Sequence, residues 1–248
     1  MNIISEIASN YNETDLLSSF RNYIKRFGKC VIIDIGANVG DLTIPLAIEA
    51  SHDGKVVAVE PGPKAFACLV NRVQNLTYNN VTCIRAALSD CRTCNPISVV
   101  HQGHWTLLSP DHELNKNNQY FLPYVELKEA KPFTVEVLTT DQIVSILNIE
   151  PTFIKIDVDG WELRVLRGSL ECLRKYRPSM VVEVCNYTMD KVGDSSFELG
   201  KLLLNENYSV TTISRVPNNL TTPSDIASIS PHGAPISVDL LCIPNEFV

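Results

Sequence analysis

The sequence predicts an α/β fold with a doubly wound, mostly parallel sheet and an antiparallel C-terminal strand. Three observations predict it. Short β-branched apolar runs alternate with segments of helical periodicity. The first such run ends in a glycine turn that opens a helix. The last two runs, 208–213 and 236–243, are separated only by a Pro-, Asn- and Ser-rich loop, which predicts a hairpin in place of another crossover.

Taken in order, residues 14–27 read as an amphipathic helix with Thr14 as N-cap, Leu16, Leu17, Phe20, Tyr23 and Ile24 on one face, and Gly28 beyond its end. This makes 1–29 an N-terminal helical extension. A strand over 30–34 leads into a helix over 39–50, with Pro45 near its first turns. A second strand over 55–60 follows the turn His52-Asp53-Gly54. After Pro61-Gly62-Pro63 comes a helix carrying Phe66, Leu69, Val70 and Val73 at helical spacing. Further strands fall at 81–84, 153–157 and 180–184, and helices at 141–147, 161–176 and 195–205. The remaining spans, 88–134 and 214–235, read as irregular insertions into a single domain covering 1–248. Both emerge where open α/β sheets bind ligands.

Composition excludes several classes. Lys and Arg number 21 against 28 Asp and Glu, a net charge of −7, so a phosphate backbone is not the expected partner. No apolar stretch is long enough to span a membrane and no basic segment precedes an apolar one at the start, which leads to the expectation of a cytoplasmic protein. Of eight cysteines, Cys30, Cys68, Cys83, Cys172, Cys185 and Cys242 fall inside strand or helix patterns, as reduced thiols do. Cys91 and Cys94 precede His101 and His104, but the interval from the second cysteine to the first histidine is too short for the usual zinc-finger spacing, so no metal is expected.

The turn after the first strand reads Asp34-Ile35-Gly36-Ala37-Asn38-Val39-Gly40. Its two glycines let the backbone approach a ligand, and the helix that follows points its N–H groups and positive dipole end there. S-adenosylmethionine suits such a turn: its amino-acid part supplies a carboxylate, and an ammonium that Asp34 could pair. A nicotinamide turn has three glycines, a spacing absent here. Glu60, twenty residues after Gly40, stands at the next strand tip, where a carboxylate accepts hydrogen bonds from ribose hydroxyls.

Four blocks in this order resemble the FkbM-type methyltransferases: residues 33–40, Val57-Ala58-Val59-Glu60-Pro61, the stretch from Asn80 through Ala86-Ala87-Leu88-Ser89-Asp90, and residues 154–168, Ile-Lys-Ile-Asp-Val-Asp-Gly-Trp-Glu-Leu-Arg-Val-Leu-Arg-Gly. The resemblance implies a class I, Rossmann-like methyltransferase fold, S-adenosylmethionine as cofactor, and a cofactor site built from Asp34, Gly36, Ala37, Asn38, Gly40, Glu60, Pro61, Ala86, Ala87 and Asp157. It also implies O-methylation of a hydroxyl on a small metabolite or sugar. Asp159 stands where the family usually has glutamate, and Trp161 where it has a small residue.

Methyl transfer to a hydroxyl needs alignment and a proton acceptor. Asp157 at the fourth strand tip can bind the cofactor, orient the acceptor or act as base. Asp159 and Glu162 begin the next helix, where capping suits them. Glu183 is read either as an acceptor contact or as half of an internal ion pair. His104, with His101 and Trp105 near it, is the loop candidate for a base. A nicotinamide-dependent oxidoreductase and a non-catalytic S-adenosylmethionine-binding protein are the alternatives.

Overall fold

The computed structural model describes residues 30–50, 53–90, 97–102, 105–109, 133–213 and 218–248. In chain order the elements are β1 (Val31–Ile35), α1 (Thr43–Ala50), β2 (Lys55–Val59), α2 (Pro63–Gln74), β3 (Val81–Ile84), β4 (Ala86–Leu88), β5 (Ile97–Gln102), β6 (Trp105–Ser109) and β7 (Phe133–Leu138). Then come α3 (Thr140–Leu147), β8 (Phe153–Ile156), α4 (Glu162–Arg167), α5 (Leu170–Tyr176), β9 (Ser179–Val184), α6 (Asn186–Val192) and α7 (Ser196–Asn205). The chain finishes with β10 (Tyr208–Thr212), β11 (Asn219–Leu220), α8 (Pro223–Ala227) and β12 (Val238–Pro244).

The main sheet has the order β11-β10-β12-β9-β8-β1-β2-β3. β1 pairs in parallel with β2 and β8, β2 with β3, and β8 with β9. β12 runs antiparallel to β9 and β10 and slots between them, so the hairpin partners Tyr208↔Pro244 through Thr212↔Leu240 bring the last strand inside the sheet. The mostly parallel sheet with an antiparallel C-terminal strand is thus present.

Alternate residues of each central strand feed opposite faces, as a pleated strand requires. Ile33, Ile35, Val57, Ile154, Ile156 and Val182 pack in one cluster with Leu163, Leu199 and Leu203; Ile32, Val56, Phe153 and Val181 pack in another with Leu46 and Ala47. Ile32, Ile33 and Ile154 are fully buried, each stabilising the fold by roughly 1.5–3 kcal/mol. The chain winds from β1 through β2 to β3 toward one edge and from β8 to β9 toward the other. The order therefore reverses between β1 and β8, and a crevice opens beyond their carboxyl ends.

Several boundaries differ from those expected. The first helix starts at Thr43, not 39, because Asn38 (φ 48°) and Gly40 (φ +92°) hold 36–42 as a turn. The helix expected over 161–176 is broken into α4 and α5 at Gly168, whose backbone lies so close to Ser89 that an added Cβ would sit 2.1 Å from the Ser89 carbonyl oxygen. The span 88–134 is not irregular throughout: a second sheet of order β4-β7-β5-β6 runs through it. In β7 the period-two alternation buries Val135 and Val137 and exposes Glu136. Between β10 and β12 lies the short helix α8, started by Pro223 and a reciprocal cap in which the Thr222 and Asp225 side chains each accept the other's backbone N–H. The expected helix over 14–27, Cys91, Cys94 and His104 lie outside the described residues. Among the described residues no helix is long and apolar enough to cross a membrane, and Cys30, Cys68, Cys83, Cys172, Cys185 and Cys242 are not joined in disulfides.

Candidate active site at the ends of β1, β2, β8 and β9

The glycine turn is tied to two strands. Gly36 adopts φ +81°, and a Cβ there would lie 1.8 Å from the backbone oxygen of Asp157, so only glycine lets the turn lie against the end of β8. The N–H groups of Gly36 and Ala37 both donate to the Val59 carbonyl at 3.0 Å. The Asn38 N–H donates to Glu60 Oε2 at 2.9 Å and the Gly62 N–H to Glu60 Oε1 at 2.7 Å. Glu60 is thereby held rigidly, with lone pairs left on both oxygens. Burial moves its pKa above the ordinary carboxylate value, opposed by the N–H groups of Gly62 and Asn38. Pro61 follows it, and Ala86 and Ala87 are buried in β4 just beyond β3.

Asp34 has no solvent-exposed surface. Its Oδ2 accepts a 2.5 Å hydrogen bond from the Thr43 hydroxyl in α1, and its Oδ1 lies 3.5 Å from the Lys155 ammonium. This arrangement ties the end of β1 to the start of α1, and leaves the buried Asp34 Oδ1 without a hydrogen bond.

The other side of the crevice is acidic. Oxygens of Asp157, Asp159 and Glu183 lie within 4.8 Å of one another, close enough to share one cation. Lys155 approaches Asp157 Oδ2 at 3.2 Å and donates to the Gly36 carbonyl at 3.0 Å. Burial alone would discharge this lysine; Asp157 and Asp34 beside it more than offset that and raise its pKa above the lysine value. Burial, then the Asp157 and Glu162 carboxylates, push Asp159 up to about 8. Burial and then Asp157 bring Glu183 to about 9, against a hydrogen bond with Ser237. The turn that carries Asp159 is strained, with Asp159 at φ 55° and Gly160 at φ +105°.

Glu162 opens α4 but does not cap it, contrary to the expectation: one oxygen accepts the N–H groups of Val158 and Gly160, ahead of the helix, at 3.0 and 3.1 Å, and burial raises it to about 7. Asp159 does not cap α4, whose N-cap is Trp161 without a side-chain bond; it joins the carboxylate cluster. The structure brings Asp157 and Glu183 together, as expected from adjacent strand tips. Sequence reasoning passed over Lys155, whose signal is a charged residue inside the apolar run Phe153-Ile154-Lys155-Ile156.

The family model for the methyltransferase FkbM domain matches residues 34–210, which take in the turn, Glu60, Lys155, Asp157 and Glu183. Among solved structures, the methyltransferase FkbM from Methylobacillus flagellatus KT is similar at 16% identity and TM-score 0.50, over 86% of this chain and 43% of that one. This chain therefore spans less than half the length of that relative. A precorrin-6y C5,15-methyltransferase from Geobacter metallireducens GS-15 is similar at 11% identity and TM-score 0.44, over 92% of this chain and 87% of that one. No curated protein matches the chain. With the family model covering well over half of its residues, the chain belongs to the FkbM methyltransferase family and has the class I methyltransferase fold.

Proposed function

We propose that this chain transfers the methyl group of S-adenosylmethionine to a hydroxyl of a small metabolite or sugar. The observation that carries the donor assignment is Glu60, fixed by two backbone N–H groups at the tip of β2 while keeping lone pairs for two ribose hydroxyls. Two features suit the group: a buried carboxylate for the ribose, and beside it the glycine turn 36–40, whose backbone can lie close to the amino-acid end. When bound, S-adenosylmethionine supplies an electrophilic methyl group for in-line displacement.

The chain's own work is alignment and proton management. Asp157, whose side chain is 40% exposed, orients the acceptor hydroxyl and takes its proton. Asp159 and Glu183, raised to about 8 and 9, hold protons at neutral pH and can donate hydrogen bonds to the acceptor's oxygens. His104 is the alternative base. Asp34 serves the cofactor indirectly, through Thr43 and Lys155. The net charge of −7 supports a small acceptor over a nucleic acid, and the buried cysteines, not joined in disulfides, support a reducing, cytoplasmic setting.

Incubation with methyl-labelled S-adenosylmethionine and a panel of hydroxylated and amino acceptors tests the reading. Label transfer to hydroxylated acceptors is expected, falling about 10²- to 10⁴-fold in Asp157→Asn. Labelling of amines alone, or binding of the donor without transfer to any acceptor, overturns the O-methyltransferase assignment.

A further inference from the structure

One side chain touches both halves of the site. Lys155 sits between Ile154 and Ile156, both fully buried, on a strand where a lone charge costs several kcal/mol. Its Nζ meets three partners on two sides: the Gly36 carbonyl at 3.0 Å, Asp157 Oδ2 at 3.2 Å and Asp34 Oδ1 at 3.5 Å. The first contact has a particular consequence. The Gly36 carbonyl and the Ala37 N–H belong to one peptide group, and the Ala37 N–H is bonded to the Val59 carbonyl. That peptide is therefore gripped from both ends, by Lys155 on β8 and by β2. Without the ammonium, the freedom of Gly36 would let it rotate.

Resting on the reading that the turn holds S-adenosylmethionine and that Asp157 serves the acceptor, we propose that Lys155 is a positioning residue. Its single ammonium clamps the Gly36–Ala37 peptide and the Asp157 carboxylate together, so that the cofactor turn and the acceptor side keep one fixed separation. The charged groups around this clamp are Asp34 on β1, Glu60 after β2, Asp159 and Glu162 after β8, Glu183 on β9 and, across from Glu183, Asp239 on β12.

Lys155→Met alone strands Asp34 as a buried carboxylate and destabilises the fold, so the deciding variant is Asp34→Asn/Lys155→Met, which removes both charges and leaves Thr43 a partner. Melting temperature, amide exchange at residues 36–40, and calorimetric affinity for S-adenosylmethionine and S-adenosylhomocysteine over pH 6–9 are measured. The expected result is a melting temperature close to that of the native chain, at least ten-fold faster exchange at Ala37 and Asn38 with β1 and β8 unchanged, and at least ten-fold weaker binding of both ligands. The sulfonium form carries one more positive charge, so the ratio of the two affinities reports the charge of the cluster. Loss of the ammonium should move the rise of this ratio to higher pH, which a purely structural role would not do. Native exchange at the turn with affinity within two-fold of the native chain overturns the clamp; so does faster exchange throughout the sheet, or an unmoved pH profile. If the native chain binds neither ligand, the donor reading fails, while exchange at the turn still decides the role of Lys155.

Discussion

The two halves of the site use the same materials, strand-tip carboxylates and a turn in the left-handed region, but balance them in opposite ways. On the β1–β2 side, each oxygen of Glu60 accepts a backbone N–H and Asp34 is enclosed by Thr43 and Lys155. On the β8–β9 side, Asp157, Asp159 and Glu183 crowd together, and burial and mutual repulsion lift Asp159 and Glu183 far above ordinary carboxylates. The first half is braced by the chain's own groups, with only Asp34 Oδ1 among these oxygens lacking a hydrogen bond. The second holds unspent electrostatic demand, met in part by Lys155. That contrast is what a site needs when one ligand is invariant and must be held in register, while the other brings a proton to be moved.

If the first half is rigid because of close packing, the largest effect comes from Gly36→Ala. An added Cβ would lie 1.8 Å from the Asp157 carbonyl oxygen at φ +81°. A loss of more than about 4 kcal/mol is expected, seen as a large drop in melting temperature or failure to fold. A near-native melting temperature would show that the turn does not lie against β8 as described.

Glu60→Gln keeps shape and removes charge. Donor affinity is expected to fall about 10- to 100-fold, since hydrogen bonds to a charged group contribute about 1.5–3 kcal/mol, and the melting temperature to fall as well, because the new amide nitrogen must face the N–H of Asn38 or Gly62. Unchanged affinity by calorimetry would remove Glu60 from the cofactor site.

The second half should show itself in pH dependence. Asp159 and Glu183 bind protons more tightly in the folded chain than unfolded, about 8 and 9 against ordinary values of 3.8 and 4.5. Their contribution to stability is therefore complete below about pH 4 and is lost progressively until pH passes about 9. Stability followed by denaturation should fall from pH 6 to 9.5, and Asp159→Asn/Glu183→Gln should flatten the decline. The smallest effect belongs to Asp41→Ala, which breaks an exposed ion pair to Arg72, with side chains 79% and 39% exposed, and should cost under about 0.5 kcal/mol.

The rigid half was the more legible in sequence. A glycine turn after an apolar strand and an acid at the next strand tip are local patterns, and their meaning survives without knowledge of what packs against them. The acidic half depends on which strands become neighbours. Glu183 and Asp157 could be placed at tips, but Lys155 reads as a misplaced charge until Gly36 and Asp34 are known to surround it. Asp159 looked like a helix cap because it precedes α4, and only its left-handed backbone turns it into the cluster. The second sheet was hidden for a related reason: β4 has only three residues, and its partner β7 lies some fifty residues on, a pairing that no local period announces. Gly168 likewise reads as an ordinary helical glycine until Ser89 is seen against it.

The central claim, that the turn 36–40 with Glu60 is a methyl-donor site, is tested most directly by calorimetric titration of the native chain with S-adenosylmethionine, S-adenosylhomocysteine and NAD. Saturable binding of the first two at one site, with no heat from NAD, is the predicted result. Binding of NAD with neither of the others would contradict it.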